Sequence, residues 1–353
     1  MNYRVSLAAV NVPPESIEYV NAAMRTGWIG QSDYIARFES QLAAWVGVRH
    51  AIAVSCGTLA DAVALLALSL RYGKKRVLCP ALTFIAQPNA ARMAGLEIVF
   101  ADVNERGLLA ELHQNSFLLY PSDCMGRLAA DASFFGVEDA CEAFGSTFGK
   151  RRAGTFGSLG TFSFFVSHSI AIGEGGAIVT DSDELATLCR ALRSHGRASE
   201  TDALQKFHFP HFGFNAKMSG LVAALACGIM EHADEYVARR RAVFDQMNVG
   251  LGGRFQEHYG ERVIPHGYPL DFESEAMRDS AMRTLLGAGI ECRKLFSCLP
   301  TMEGAYVGWQ PASQFPVAER IARTMLYLPC HQNMSEADVD YVCETARGLA
   351  GLI

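Results

Sequence analysis

A single histidine stands in a segment whose other residues suggest a small-molecule site. His168 lies between a strand-like run that begins at Thr161 and the glycine-rich run Gly173-Glu-Gly-Gly176. An imidazole can accept and return a proton near neutral pH, whereas it cannot form an imine with an aldehyde. The segment therefore predicts acid–base chemistry at His168, although the glycines alone would also suit a tight turn.

Three further features could hold a ligand, and each has a simpler explanation. The turn Ser55-Cys-Gly-Thr58 follows a strand and opens a helix, so its backbone N–H groups could bind an anion or simply form a helix N-cap. Phe84 follows another strand, where its ring could stack on a heteroaromatic cofactor or pack in the core. Asp139 ends a buried strand, so it either pairs with a cation or caps the following turn.

The elements that must position these residues alternate along the chain. Buried strands are predicted over residues 50–54, 76–79, 97–100, 117–120, 134–137 and 161–165. Helices are predicted over residues 38–46 and 59–72. This alternation favours an α/β fold in which helices cover both faces of a mainly parallel sheet.

The strand rhythm changes where a long charged helix is predicted, over residues 231–241. We therefore predict a large cofactor-binding domain over residues 1–235 and a small C-terminal domain over residues 236–353. The small domain is predicted to end in a helix over residues 335–349.

Composition narrows the class of protein. Half of the 353 residues are hydrophobic and the net charge is −6, so neither nucleic acid nor an acidic surface is an expected partner. The amino terminus lacks the apolar core of a signal peptide, and the most apolar run, 221–230, is too short to cross a membrane. The ten cysteines form no CxxC pair, which suits reduced, buried thiols. We expect a cytoplasmic protein that makes no contact with a membrane.

In this order and spacing, the same motifs resemble the DegT/DnrJ/EryC1/StrS sugar aminotransferases, which are pyridoxal phosphate (PLP) enzymes. Thr26-Gly-Trp-Ile-Gly30 resembles the N-terminal signature of that family, and Gly213-Phe-Asn-Ala-Lys-Met-Ser219 resembles an internal one. Leu328-Pro329 and Ser335-Glu-Ala-Asp338 resemble its closing motif. The resemblance implies the α/β fold of PLP-dependent transferases of fold type I, with a mixed, mainly parallel sheet sandwiched by helices and a smaller C-terminal α/β lobe.

The resemblance also implies a set of cofactor-binding residues, which are Gly57, Thr58, Phe84, Asp139, Glu142, Ser163 and Asn215. By this resemblance, the helix-opening turn and Ser163 would hold the cofactor phosphate, and Phe84 would stack on the pyridine ring. Asp139 would pair with the ring nitrogen. Asn215 would reach the phosphate of the neighbouring subunit, which implies a homodimer with shared active sites.

Two departures from the family pattern resemble its nucleotide-sugar 3-dehydratases. His168 occupies the position where the aminotransferases carry the lysine that binds PLP as a Schiff base. The run Glu138-Asp-Ala-Cys-Glu-Ala-Phe-Gly145 also follows the dehydratase form. One branch of these enzymes needs closely grouped cysteines for an iron–sulfur cluster, but this chain has no cysteine between Cys189 and Cys227. We therefore expect neither an iron–sulfur cluster nor another metal.

The resemblance implies a lyase that removes the C3 hydroxyl of a nucleotide-linked 4-keto-6-deoxyhexose. Pyridoxamine phosphate (PMP) would be held without a covalent bond and regenerated from PLP with glutamate, and His168 would act as acid and base with a pKa near neutral. Such an enzyme would serve deoxysugar biosynthesis, as for an O-antigen.

Two other interpretations stay open. One is a lysine-less homologue that binds cofactor or sugar without turnover. The other is an aminotransferase that uses another lysine, although Lys150 is expected in an exposed turn and Lys217 resembles a family position outside the imine site. Two features leave the substrate undetermined. Ser169 stands where the cluster-free dehydratases have a second histidine, and the segment over residues 102–131 is shorter than is usual in the family it resembles.

Overall fold

The computed structural model describes residues 3–110, 117–199, 202, 204–205, 207–296, 299–302 and 304–352. In the first part of the chain, the elements are α1 Pro14–Thr26, α2 Asp33–Val46, β1 His50–Val54, α3 Gly57–Tyr72, β2 Arg76–Pro80, α4 Ala86–Met93, β3 Glu97–Ala101, β4 Leu118–Leu119, β5 Val137–Asp139, β6 Thr147–Phe148 and β7 Arg151–Arg152. They continue with β8 Leu159–Ser163, β9 Gly176–Thr180, α5 Asp183–Arg193, α6 Gly220–Met230, α7 Ala233–Gly250, β10 Glu261–Arg262, β11 Tyr268–Asp271, α8 Glu275–Gly287, β12 Arg293–Lys294, α9 Pro316–Thr324, β13 Met325–Leu328 and α10 Glu336–Arg347.

The central sheet is mixed and mainly parallel. Its two hydrogen-bonded parts have the strand orders β3-β2-β4 and β5-β8-β9-β1. Parallel bridges from Leu119 to Gly136 and from Ser122 to Asp139 join the two parts. Only β9 runs antiparallel to its neighbours β8 and β1 among these described strands. This arrangement confirms the predicted α/β fold class.

Helices cover both faces of this sheet, as the alternation of buried residues in β1 shows. Ile52 and Val54 pack into a core with α3, whereas Ala51 and Ala53 pack into a second core with α2 and α6. Successive side chains of a strand point to opposite faces, so both faces of β1 are buried. Helix α3 is almost entirely buried, because it lies between the sheet and the helices α4 and α5.

Two predicted strands are shifted along the chain. The strand predicted over residues 134–137 is observed as β5, which starts at Val137 and ends with Asp139. The strand predicted over residues 161–165 is β8, which ends at Ser163. One more hydrogen bond in the register of β8 and β9, from Phe164 N–H to the Gly175 carbonyl (2.9 Å), follows before the chain turns away. Both strands therefore deliver their last residues, Asp139 and Ser163, to one edge of the sheet.

The predicted short segment between β3 and β5 carries little regular structure. In its described residues, β4 and one turn of 3-10 helix, Cys124–Gly126, are the only regular elements. Residues 111–116 lie outside the described part of the chain.

The C-terminal part of the chain builds a third core. The second half of α7, the small antiparallel sheet β11-β13-β12, and helices α8 and α10 enclose it. Helix α10 begins with a capping box between Ser335 and Asp338, which agrees with the predicted terminal helix. The predicted domain boundary after residue 235 falls inside α7, so the division into two domains stays a prediction. None of the described helices combines the length and the apolarity needed to cross a lipid bilayer.

Candidate cofactor site

The turn Ser55-Cys-Gly-Thr58, called the phosphate turn below, opens helix α3 without a side-chain cap. Its first N–H groups are therefore available to an anion, and the helix dipole favours negative charge there. A Cβ atom at Gly57 would lie 2.7 Å from Ser163 Cβ and 3.2 Å from Cys141 Sγ, so glycine is required for this close approach. The structure thus brings Gly57, Thr58 and Ser163 together, as the sequence analysis expects.

Asp139 lies at the buried end of β5 and is only 7% exposed. Its Oδ1 accepts a hydrogen bond from Cys141 N–H (3.1 Å). Burial raises the pKa of Asp139, while hydrogen bonds from Cys141 and Gln87 oppose that rise. A buried carboxyl of this kind gains most from a cationic partner.

Phe84 offers an exposed ring close to this carboxyl. Its side chain is 62% exposed and precedes α4. The Gln87 N–H donates to the Phe84 carbonyl (3.1 Å), so Phe84 is one turn away from the residue that contacts Asp139. An exposed flat ring in this place is free to stack on a heteroaromatic ligand.

Asp61 is a residue of this site that the sequence analysis missed. It projects from α3, is 2% exposed, and accepts a hydrogen bond from Thr161 Oγ1 (2.5 Å). One carboxylate oxygen of Asp61, one of Asp139 and the Sγ atom of Cys141 all lie within 4.8 Å of one another. The signal in the sequence is the lone charge within Leu59-Ala-Asp-Ala-Val-Ala-Leu65, an otherwise apolar helical run. Below, Asp61 and Asp139 are called the acid pair.

His168 follows β8, and its ring is desolvated. Its Nδ1 is buried without a hydrogen-bond partner in the described structure. Burial and, to a smaller extent, the positive charge of Arg240 lower the pKa of His168 to about 4. The expectation of a pKa near neutral is therefore wrong for the cofactor-free chain, because burial disfavours the charged imidazolium.

A second histidine, His266, reaches the same place from the C-terminal part of the chain. Its ring centroid lies 5.1 Å from that of His168, and the two rings are tilted by 52°. The guanidinium of Arg240 donates to the carbonyls of Pro265 (2.9 Å) and His266 (3.2 Å), and these hydrogen bonds hold the segment before β11 in place. Burial lowers the pKa of His266 well below its usual value, and the charges of His168 and Arg240 add to this effect. Nothing in the sequence near His266 predicts the contact. His168 and His266 are called the histidine pair below.

Glu142 lies between the sheet edge and the C-terminal part of the chain. Its Oε2 accepts a hydrogen bond from Met125 N–H (2.8 Å). Burial raises the pKa of Glu142 to about 7, with a smaller contribution from the charge of Asp139. On β13, burial followed by the charge of Glu142 raises the pKa of Tyr327 to about 12, which places the two side chains near each other.

Asn215 is exposed, and its Oδ1 accepts a hydrogen bond from Lys217 Nζ (2.7 Å). The segment lies beside the phosphate turn of the same chain, because Ser55 N–H donates to the Ala216 carbonyl (2.9 Å) and Lys217 bridges to Val54. Whether Asn215 serves this site or that of a second subunit stays a prediction.

The lysines of the chain are Lys74, Lys75, Lys150, Lys206, Lys217 and Lys294. Lys150 is exposed in the turn between β6 and β7, as expected, and Lys294 pairs with Asp279 (3.4 Å). Lys206 lies outside the described residues. Within the described part of the chain, no lysine forms a hydrogen bond or charge interaction with His168.

Together these residues fit a flat, basic, phosphate-bearing ligand. The uncapped helix start and Ser163 suit a phosphate, Phe84 suits an aromatic ring, and Asp139 suits a protonated ring nitrogen. With the mixed sheet that holds them, they define a pyridoxal phosphate enzyme of fold type I.

Comparison with known proteins gives the family. Residues 11–114 and 122–347 match the DegT/DnrJ/EryC1/StrS aminotransferase family, and the chain belongs to that family. GDP-perosamine synthase of Caulobacter vibrioides is 31% identical over 96% of both chains.

Two solved structures show the same fold. A putative sugar aminotransferase of Streptococcus pneumoniae, Spr1654, superposes with a TM-score of 0.89 at 18% identity over 98% of both chains. GDP-4-keto-6-deoxymannose-3-dehydratase, solved as a histidine-to-asparagine variant with bound GDP-perosamine, has a TM-score of 0.86 at 22% identity. That alignment covers 98% of this chain and 100% of the other.

These findings confirm the predicted family, fold class and cofactor. The family is PLP-dependent, and relatives have been solved in PLP and PMP forms. The protein is thus an enzyme of a sugar-modifying PLP family. For the reaction itself, the sequence relatives favour amino transfer over the predicted dehydration.

Proposed function

We propose that the protein is a PMP/PLP-dependent nucleotide-sugar 3-dehydratase that removes the C3 hydroxyl of a nucleotide-linked 4-keto-6-deoxyhexose. The observation that carries this proposal is the desolvated imidazole of His168 at the position where the family's aminotransferases carry a lysine. An imidazole there can move a proton but cannot bind PLP covalently.

His168 acts as base and then as acid. With a pKa of about 4 it is unprotonated at neutral pH, so its ring is free to take a proton. The imidazolium that forms lies near Arg240 and beside a second desolvated ring, His266, and is therefore unstable. It passes the proton on readily, and the departing C3 hydroxyl is its acceptor. When bound, the cofactor supplies an amine for the 4-keto group and a ring that accepts electrons.

Glu142 is a second proton carrier. Because its pKa is about 7, its carboxyl is present in both the protonated and the ionised form at neutral pH, whereas His168 rests in the unprotonated form.

A homodimer with shared sites is part of the proposal. Large apolar side chains near the proposed site are exposed on the single chain, among them Trp28 (70%), Phe84 and Phe212 (75%). Exposed apolar surface of this extent favours burial against a partner. Asn215 lies on the same stretch of chain as Phe212, so it would reach the site of the second copy.

Amino transfer is the second candidate, because a GDP-perosamine synthase is 31% identical to the chain. Such a reaction would need a lysine to exchange the cofactor between its two forms. Lys217 is the lysine beside the phosphate turn, so it is the residue to examine.

The test loads the purified protein with PMP and offers GDP-, CDP- and dTDP-linked 4-keto-6-deoxysugars with glutamate. We expect a 3-deoxy product by mass spectrometry. His168→Asn should lower its rate by about 100- to 10,000-fold while PMP still binds. A 4-amino sugar, together with a borohydride-stable PLP adduct on Lys217, would instead establish amino transfer. Cofactor binding without either product would identify a non-catalytic homologue.

A further inference from the structure

The acid pair places two buried carboxyls side by side, although a ring nitrogen needs only one. Asp61 comes from α3 and Asp139 from β5, and their oxygens approach within 4.8 Å. No arginine or lysine in the described part of the chain forms an ion pair with either acid. Two adjacent carboxylates without a cation cannot both stay ionised in a buried site.

The surroundings of the two acids decide which one keeps the charge. Asp139 receives the Cys141 N–H and a hydrogen bond from Gln87, which both stabilise a carboxylate. Asp61 receives the Thr161 hydroxyl. The other titratable groups that face Asp61 are Cys79, Tyr120 and Cys141, which stay neutral because burial raises the pKa of each. The Thr161 and Tyr120 hydroxyls oppose the rise in the pKa of Asp61, but burial outweighs them.

Burial, and then the charge of Asp139, raise the pKa of Asp61 well above its ordinary value. Asp61 is therefore the neutral acid of the pair, and its carboxyl O–H is a hydrogen-bond donor whose oxygen lies within 4.8 Å of an Asp139 oxygen.

We infer that Asp61 is a positioning residue that stabilises Asp139 as a carboxylate. The proton that lies between Asp139 and the ring nitrogen of the cofactor then stays on the nitrogen. This inference rests on the proposed pairing of Asp139 with that nitrogen. A donor to Asp139 favours the pyridinium–carboxylate form over the neutral pair, because only the carboxylate gains from the bond. Helix α3 would then act at both ends of the cofactor, with its first turn at the phosphate and Asp61 next to the carboxylate that would hold the ring nitrogen.

The experiment follows the absorbance of bound PMP as a function of pH in wild type, Asp61→Leu and Asp61→Asn. Leucine removes the donor, whereas the asparagine amide keeps one in the same place. We expect the ring nitrogen of Asp61→Leu to lose its proton about one to two pH units lower, which is roughly a 10- to 100-fold change in that equilibrium. Asp61→Asn should restore at least half of the difference.

A matched control comes from the same helix. Ser69 is also buried on α3, about two helical turns beyond Asp61, and its hydroxyl donates to the Lys74 carbonyl (2.7 Å). Ser69→Ala should leave the PMP spectrum at its wild-type pH dependence. An infrared C=O band of a protonated carboxylic acid, present in the cofactor-free wild type at pH 7.5 and absent from Asp61→Asn, would locate the proton on Asp61 independently.

Asp139→Asn separates the two ideas. If it leaves the pH dependence of bound PMP unchanged, Asp139 is not the partner of the ring nitrogen, and the proposed site is wrong. If Asp139→Asn changes the spectrum but Asp61→Leu matches wild type within a few tenths of a pH unit, the site stands and the role of Asp61 is refuted. If the infrared band persists in every variant, the role of Asp61 is likewise refuted.

Discussion

The acid pair is buried, and in the histidine pair His266 is buried and His168 half-buried, yet the two pairs respond to desolvation in opposite directions. Burial raises the pKa of Asp61 and of Asp139, whereas it lowers the pKa of His168 and of His266. In each case a low-dielectric environment favours the neutral form of the side chain. One physical cause thus leaves two acids holding a proton more tightly and two bases holding it more loosely.

The two pairs differ in the charged and hydrogen-bonding groups that surround them. The acid pair has donors but no cation in the described structure, which suits the cationic ring proposed above as its partner. The histidine pair already has a cation, Arg240, which disfavours a further positive charge there and suits the proton transfer proposed for His168. Cofactor binding and proton transfer are therefore expected to depend on different residues, and variants at one pair should leave the function of the other intact.

The largest effect is expected from His168→Lys. An amine in place of the imidazole can bind PLP covalently, but it stays protonated at neutral pH and is a poor base. Dehydration should fall by at least about 100-fold, and some amino transfer to the 4-keto sugar should appear. Mass spectrometry after borohydride treatment should find PLP on residue 168. His168→Asn is the control, and a PLP adduct on another lysine in that control would contradict the comparison.

Asp139→Asn should act on binding and on the ring, not on proton transfer by His168. Replacing the carboxylate removes a charged partner of the ring nitrogen, so PMP should bind about 10- to 100-fold more weakly. Titration of protein fluorescence with PMP measures this change. An equal loss of PMP affinity in His168→Asn would show that the two ends of the site are not separable.

Asp61→Leu should make the cofactor-free protein more stable at alkaline pH. The folded pKa of Asp61 is raised, so the folded state binds this proton more tightly and wild-type stability falls as pH rises above the unfolded pKa of about 3.9. Leucine removes this pH dependence, and we expect the free energy of unfolding at pH 8 to rise by on the order of 1 to 3 kcal/mol. Urea unfolding at pH 5 and pH 8 tests the sign. A gain in the free energy of unfolding that is larger at pH 5 than at pH 8 would contradict this prediction.

Glu142→Gln should change the pH profile by a smaller amount. Glu142 has a pKa of about 7, so it is ionised above that pH and protonated below it. The glutamine variant should lose the step of kcat near pH 7 and keep a rate within roughly tenfold of wild type. A step that survives in the variant belongs to another group.

Lys150→Ala should have the smallest effect. Lys150 lies in an exposed turn, away from both pairs. Cofactor content, absorbance spectrum and turnover should all match wild type. A loss of cofactor in this variant would support the aminotransferase that uses Lys150.

The sequence predicts the site best where chemistry and secondary structure are local. β1, α3 and the phosphate turn follow from hydrophobic periodicity and from a glycine at a helix start, and the structure has them in the predicted places. The ends of β5 and β8 are predicted less well, because short apolar runs do not show where a ladder stops.

Contacts between distant residues decide the rest. Thr161 meets Asp61 across 100 positions of sequence, and His266 meets His168 from the other part of the chain. Periodicity indicates that α3 is apolar and buried, but it does not indicate which strand residue faces its one carboxyl. The pKa values differ for the same reason, since burial depends on everything packed around a group and not on its neighbours in the chain.

By itself, the sequence determined the fold class, the family's cofactor and the absence of a lysine at position 168, because each is carried by residue types in order. Only the tertiary structure decided that Asp139 lies beside a second acid and that the His168 imidazole is desolvated and lies beside a second ring. Those properties arise from distance and dielectric, which exist only once the chain has folded.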